Sequence, residues 1–282
     1  MSALATFYAQ HSRLVDQIGI NALLALSLAV SLQAGQLALA QAAFAGVAAY
    51  VSAIASMQYN WPLPASILAA MLSATAVAVV LAYPIRRLHG IFLAIATIGF
   101  GEILRVVANN LAVTGGAEGL SGITNDARAP LIYSALLLVG IALFALSRTK
   151  FALAVALTRE DENAARGVGI DVGMVRLLSL ALGGAIAGLA GALSAHAFFF
   201  ITPTDFGFGR MEQILVWCVI GGVTSPIGAV LGAIFLSILP EVIRPLQDFR
   251  EVTNGAILLG VILFAPAGIA GLWRGRRRRE AT

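Results

Sequence analysis

The chain has 282 residues, 59% of them hydrophobic and 11% charged, with a mean hydropathy of +0.90. A soluble domain carries about 45–50% apolar and about 25% charged residues, so too little polar surface remains here to wrap a globule. A soluble enzyme, a nucleic-acid binder and a disordered chain are excluded in favour of an integral membrane protein. The formal charge of +4 belongs to the C-terminal tail, where Arg274, Arg276, Arg277, Arg278 and Arg279 face only Glu280, and the rest of the chain is neutral.

A helix needs about 20 apolar residues to cross roughly 30 Å of hydrocarbon. The first such run covers 14–32, and no basic-then-apolar leader of the secretory kind precedes it. The second, 36–56, opens on Gln36 and Gln41. An amide at that depth must find a partner, so these two either line a pathway or tie helices together. The third run is 63–83, followed by a short loop with Arg86 and Arg87. The fourth, 91–113, contains Glu102 and Arg105. Three residues apart, they share a helix face and can pair. Ionisable groups at membrane depth are costly and face the bundle or a cavity. The pair is thus either a pathway or gate element or a structural ion pair. Asn109 and Asn110 follow on the same helix, where they line an exit or mark the membrane interface.

A glycine-rich loop, 114–129, leads to the fifth run, 130–147, and then to the longest polar loop, 148–173. Within it, Thr158 followed by Asp161 has capping-box spacing. Glu160, Asp161 and Glu162 then fall in a first helical turn, where acids favour the dipole, and Gly167 and Gly169 stop the helix. This predicts a short helix of about two turns, either a lever docking on a soluble partner or a solvated loop helix. The sixth run, 174–200, carries Gly184, Gly188 and Gly191, spaced for close helix approach. The stretch 211–243 is apolar but interrupted by Gly221, Gly222, Pro226, Gly228 and Gly232. Its first piece, 211–223, reaches only about 20 Å, which predicts a short or half-spanning helix, a turn near 222–226 and a second helix. Gly228 and Gly232 repeat the small-residue packing spacing. A last run covers 252–272 before the basic tail 274–282. The expected fold is an all-α polytopic membrane protein of about eight or nine membrane segments, a single transmembrane domain over 1–282.

Lys and Arg in short loops mark the cytoplasmic side. Arg86 and Arg87, the basic residues of 148–173 and the tail assign those regions to the cytoplasm, with two spans joining the first to the second. Loop 114–129 then faces outside. The sole cysteine, Cys218, allows no disulfide, and His11, His89 and His196 have no metal-ligand spacing. The only lysine, Lys150, follows Thr149 rather than glycine, so no Walker A loop exists. No catalytic constellation is present, and one reading of the Glu102–Arg105 pair is the relay of an ion-coupled secondary transporter of a small solute.

Four stretches resemble the LivM-type permease subunit of branched-chain amino acid ABC transporters. They are 35–50 (GQLALAQAAFAGVAAY), 88–123 (with GFGEILR and TGGAEGLSGI), 157–191 (LTREDENAARGVGID and the helix after it) and 219–241 (VIGGVTSPIGAVLGAIFLSILPE). The chain departs from that pattern at Ala38, Ala40 and Thr224, and its FAPAG at 264–268 lacks two arginines common there. The resemblance implies a non-catalytic import subunit of a bacterial inner membrane, with its C-terminus in the cytoplasm. It implies a second, LivH-type permease subunit, two cytoplasmic ATPases that bind ATP and Mg, and a periplasmic or tethered substrate-binding protein. This chain would bind no cofactor, metal or nucleic acid. The ATPase-coupling role carries onto Glu160, Asp161, Glu162, Ala164, Ala165, Gly167 and Gly169.

Overall fold

A computed structural model describes residues 3–123, 127–223 and 225–242. The expected span 252–272, the FAPAG segment and the basic tail lie outside the described residues. The chain folds as helices α1 (Ala3–Gln33), α2 (Gln41–Tyr59), α3 (Leu63–Ile85), α4 (Gly90–Asn110), α5 (Ala129–Leu146), α6 (Lys150–Glu160), α7 (Glu162–Gly167), α8 (Val172–Phe198), α9 (Phe208–Gly221) and α10 (Pro226–Val242). Six of them, α1 from Ser12 together with α2, α3, α4, α5 and α8, are long and apolar enough to cross a membrane. A helical membrane protein satisfies its backbone inside each span, and the alanine- and leucine-rich runs supply residues of high helix propensity.

The core is built around α8, which packs against α1, α2 and α3. Its small residues make this possible. A Cβ on Gly184 would meet the Ala78 side chain at 2.6 Å, one on Gly188 the Ala74 side chain at 2.8 Å, and one on Gly191 the Ala45 carbonyl oxygen at 2.0 Å. Without a hydrophobic drive between helices in lipid, such close backbone approach is the main source of packing energy. Helices α1, α2 and α8 are mostly buried, whereas α4 and α5 lie at the periphery and are mostly exposed.

Two features break the simple bundle. The first falls where the sequence predicts a continuous helix over 36–56. The chain turns at Gly35 (φ +70°) and is non-helical from 36 to 40, and α2 begins only at Gln41. Irregular backbone at membrane depth survives only when buried and satisfied by protein. Here Leu39 N–H donates to Thr97 Oγ1 (2.8 Å), Ala40 N–H to Gln41 Oε1 (3.1 Å), and Gln41 Nε2 to Ser31 Oγ (3.2 Å). The second break is the α9–α10 pair, bent by 116°. Gly232 lies on the Trp217 carbonyl and Gly221 on that of Gly228, so the two short helices run back along one another. Cys218 Sγ donates to the Ala25 carbonyl (3.3 Å), which places the hairpin's inner part beside the middle of α1.

The bundle has two distinct ends. At one, α7 meets the α3–α4 junction through His89 and Glu162 (3.5 Å), and Gly35 touches Arg159 of α6. The loops that the charge pattern groups on one side are thus together in space. At the other end, the short strands β1 (Leu120–Ser121) and β2 (Phe200–Ile201) pair antiparallel. They tie the glycine-rich 115–122 loop to the chain leading into α9.

Candidate functional site

The polar loop 148–173 is more ordered than its sequence indicates, since it folds as two consecutive helices. Thr158 is buried inside α6, and Glu160 is its last residue. The helix cap sits at Asp161 instead. Its Oδ1 accepts from the N–H groups of Asn163 (2.8 Å) and Ala164 (3.0 Å), satisfying two of the four donors a helix start leaves orphaned. A shorter cap wins because α6 continues the α5 chain through Glu160 and leaves no break at Thr158. Helix α7 ends at Gly167, and Gly169 takes the left-handed conformation (φ +83°) that glycine adopts without strain.

Glu162 is the hub that fixes α7. Its carboxylate receives Arg166 (2.6 Å), both terminal nitrogens of Arg176 on α8 (3.0 and 3.4 Å) and His89 (3.5 Å). Partial burial pushes this carboxyl up, but Arg176, His89 and Arg166 outweigh it and hold it below the ordinary carboxylate range. The consequence is mechanical. Any displacement of α7 pulls on the start of α8 through the charge-assisted hydrogen bonds from Arg176, and on the α3–α4 junction through the longer His89 contact. Ala165 faces inward and is fully buried, while Glu160, Asp161, Ala164, Gly167, Val168 and Gly169 face outward. Gln36, also buried, lines a small cavity of about 150 Å³ beside Arg86, Asp171 and Arg176 at this same end.

Within the bundle, Arg105 Nε donates to Glu102 Oε2 at 2.6 Å, as the spacing predicts. The other Glu102 oxygen accepts the Phe208 N–H at 3.0 Å. Phe208 is the first residue of α9, so a carboxylate of α4 caps a helix 106 positions away. The arginine also packs its Cδ beneath Gly207. Sequence spacing indicates the pair but not the cap, because the contact depends on where α9 starts. Asn109 sits half-buried near the end of α4, with its carbonyl next to Gly116. Gln41 is fully buried and serves the 36–40 break described above.

A second group of polar side chains has no counterpart among the sequence candidates. Between α1, α8, the 3-10 turn Pro203–Phe206 and α9 lies a cavity of roughly 670 Å³. Arg13, Gln17, Ser194, Asp205, Arg210 and Gln213 contribute its polar wall. Arg210 Nη2 donates to Asn21 Oδ1 (2.8 Å), its Nη1 to Gln213 Oε1 (3.2 Å), and its guanidinium lies 5.3 Å from the Trp217 ring centre. Asn21 in turn donates to Ser237 of α10 (2.8 Å). The one signal for this site in the sequence is an arginine six residues after Thr204 at the head of an apolar run, which reads equally as an interfacial anchor.

Comparison with known proteins agrees with this architecture. The family described as "Branched-chain amino acid transport system / permease component" matches residues 12–266. The high-affinity branched-chain amino acid transport system permease protein LivM of Escherichia coli (strain K12) is 29% identical over 91% of this chain and 67% of its own length. LivM of Salmonella typhimurium is 28% identical over the same shares. The autoinducer 2 import system permease protein LsrC of Escherichia coli (strain SMS-3-5 / SECEC) is 29% identical over 66% of this chain and 59% of its own length. No solved structure matches. With a family match that spans nearly the whole helical bundle, the chain belongs to the permease components of branched-chain amino acid transport systems.

Proposed function

We propose that this chain is the transmembrane permease subunit of an ABC importer that moves branched-chain or other aliphatic amino acids across a bacterial inner membrane. The observation that carries this reading is α7, an exposed helix joined to α8 and to the α3–α4 junction through Glu162. A chain without a Walker A loop cannot hydrolyse ATP by that route, yet it presents a rigid lever at the end where its basic loops gather. Two cytoplasmic ATPases pressing on Glu160, Asp161, Ala164, Val168 and Gly169 would bias the bundle between inward- and outward-open states. A LivH-type subunit completes the pathway, and a binding protein delivers substrate to the opposite end. The intramembrane Glu102 is committed to Arg105 and to the start of α9, a clamping geometry rather than a relay.

Reconstitution in liposomes tests the reading. Leucine uptake should require the ATPase subunits and ATP and be indifferent to an imposed proton or sodium gradient. Uptake by this chain without ATPases, driven by an ion gradient, would contradict it.

A further inference from the structure

Arg210 is a cation in an unusual place. It is hydrogen-bonded to Asn21, which is buried within the apolar span of α1. A guanidinium at that depth is costly and faces a partner or a watery cavity. Among the described residues its hydrogen-bond partners, Asn21 and Gln213, are neutral amides, and no described carboxylate is within ion-pair distance. The positive charge lines the cavity, with no direct counter-ion among the described residues.

The nearest acid that lines the same cavity is Asp205. Its Oδ2 is occupied by the Thr202 N–H and hydroxyl, both at 2.8 Å, which leaves Oδ1 without a hydrogen bond from the described residues. The two charges are thus held apart by separate tasks, one on a 3-10 turn and one on α9, with cavity between them. Phe198, Phe199, Phe200 and Leu24 contribute to the apolar part of the wall. Phe199 is held at φ +66°, a conformation uncommon for a bulky residue and found where surrounding structure enforces it. The volume falls within the range of small-molecule sites, about 300–1,000 Å³.

We propose that this cavity is a membrane-embedded site for a zwitterionic aliphatic amino acid, with Arg210 taking the carboxylate, Asp205 Oδ1 the ammonium and the phenylalanine wall the side chain. A planar guanidinium pre-oriented by two amides suits a carboxylate. The site deepens the transport reading and rests on it. It lies toward the end opposite α7, where substrate would enter.

The test uses the assembled transporter in nanodiscs, without its binding protein, and reads binding by isothermal titration calorimetry. Leucine should bind saturably. The decarboxylated analogue 3-methylbutylamine should neither bind nor compete. Arg210→Gln should raise the leucine concentration for half-saturation about tenfold or more, and Arg210→Lys should fall between. Equal responses to leucine and 3-methylbutylamine in the unsubstituted site would overturn the proposal, and this comparison needs no Arg210 variant to fold. Unchanged leucine affinity in R210Q, with ATP-driven leucine uptake intact, would overturn the site and leave the transport reading standing. Absence of amino-acid uptake by the complete wild-type transporter would overturn both.

Discussion

Single side chains do most of their work here by joining elements far apart in sequence. Glu102 ties α4 to the start of α9, and Glu162 ties α7 to α8 and to His89. The spacing of Glu102 and Arg105 makes their pairing legible, since three residues is one helical turn. The second partner of each glutamate is not legible, because it comes from tertiary placement. The same limit hides Arg210, whose meaning depends on a cavity formed by four elements. Glu162 yields a prediction at this scale. Its carboxyl is held below its ordinary value, so its contribution to anchoring α7 is complete above the unfolded value near 4.5 and is lost as pH falls through the depressed folded value. Near neutral pH the clamp is closed, and Glu162→Gln should mimic its protonated form at any pH. Hydrogen exchange over 162–168 should rise several-fold in that variant at neutral pH. Exchange equal to wild type would show that the clamp does not hold α7.

Among the elements, helices of high hydropathy are easy to place. The runs 63–83, 130–147 and 174–200 lie within about two residues of α3, α5 and α8. The half-length helix, turn and second helix expected near 211–243 correspond to α9 and α10. Apolar composition does not distinguish a continuous span from one whose first residues are non-helical, which is why 36–40 reads as helix. Only the Ser31, Gln41 and Thr97 contacts, all tertiary or side-chain mediated, reveal that the backbone is satisfied another way. Glycine spacing marks α8 as a packing surface, and the structure gives each glycine a different tolerance. Gly191→Ala places a Cβ against the Ala45 carbonyl and should destabilise by about 1–3 kcal/mol. Gly99→Ala on exposed α4 meets nothing within 4 Å and should change stability by no more than about 1 kcal/mol. Melting curves in one detergent decide the matter: equal midpoints for the two variants would show that α2 and α8 do not approach as closely as described.

At the scale of the molecule, the chain pairs a transmitting end with a receiving end. Basic loops, α6 and α7 gather at one, and the β1–β2 ribbon and the Arg210 cavity lie toward the other, with tightly packed α8 running between them. The charge arithmetic groups the loops of the first end correctly in space, as the His89–Glu162 contact shows. A rigid rod anchored at both ends is a simple way to convert a push on α7 into a change at the cavity, provided that the bundle has two discrete arrangements. The central claim is therefore one of transmission. The most direct measurement follows ATP hydrolysis and leucine uptake together in the reconstituted transporter carrying alanine at Glu160, Asp161 and Glu162. The account predicts that the complex still assembles and hydrolyses ATP while uptake falls about tenfold or more. Uptake and its ratio to ATP hydrolysed that match wild type would contradict it.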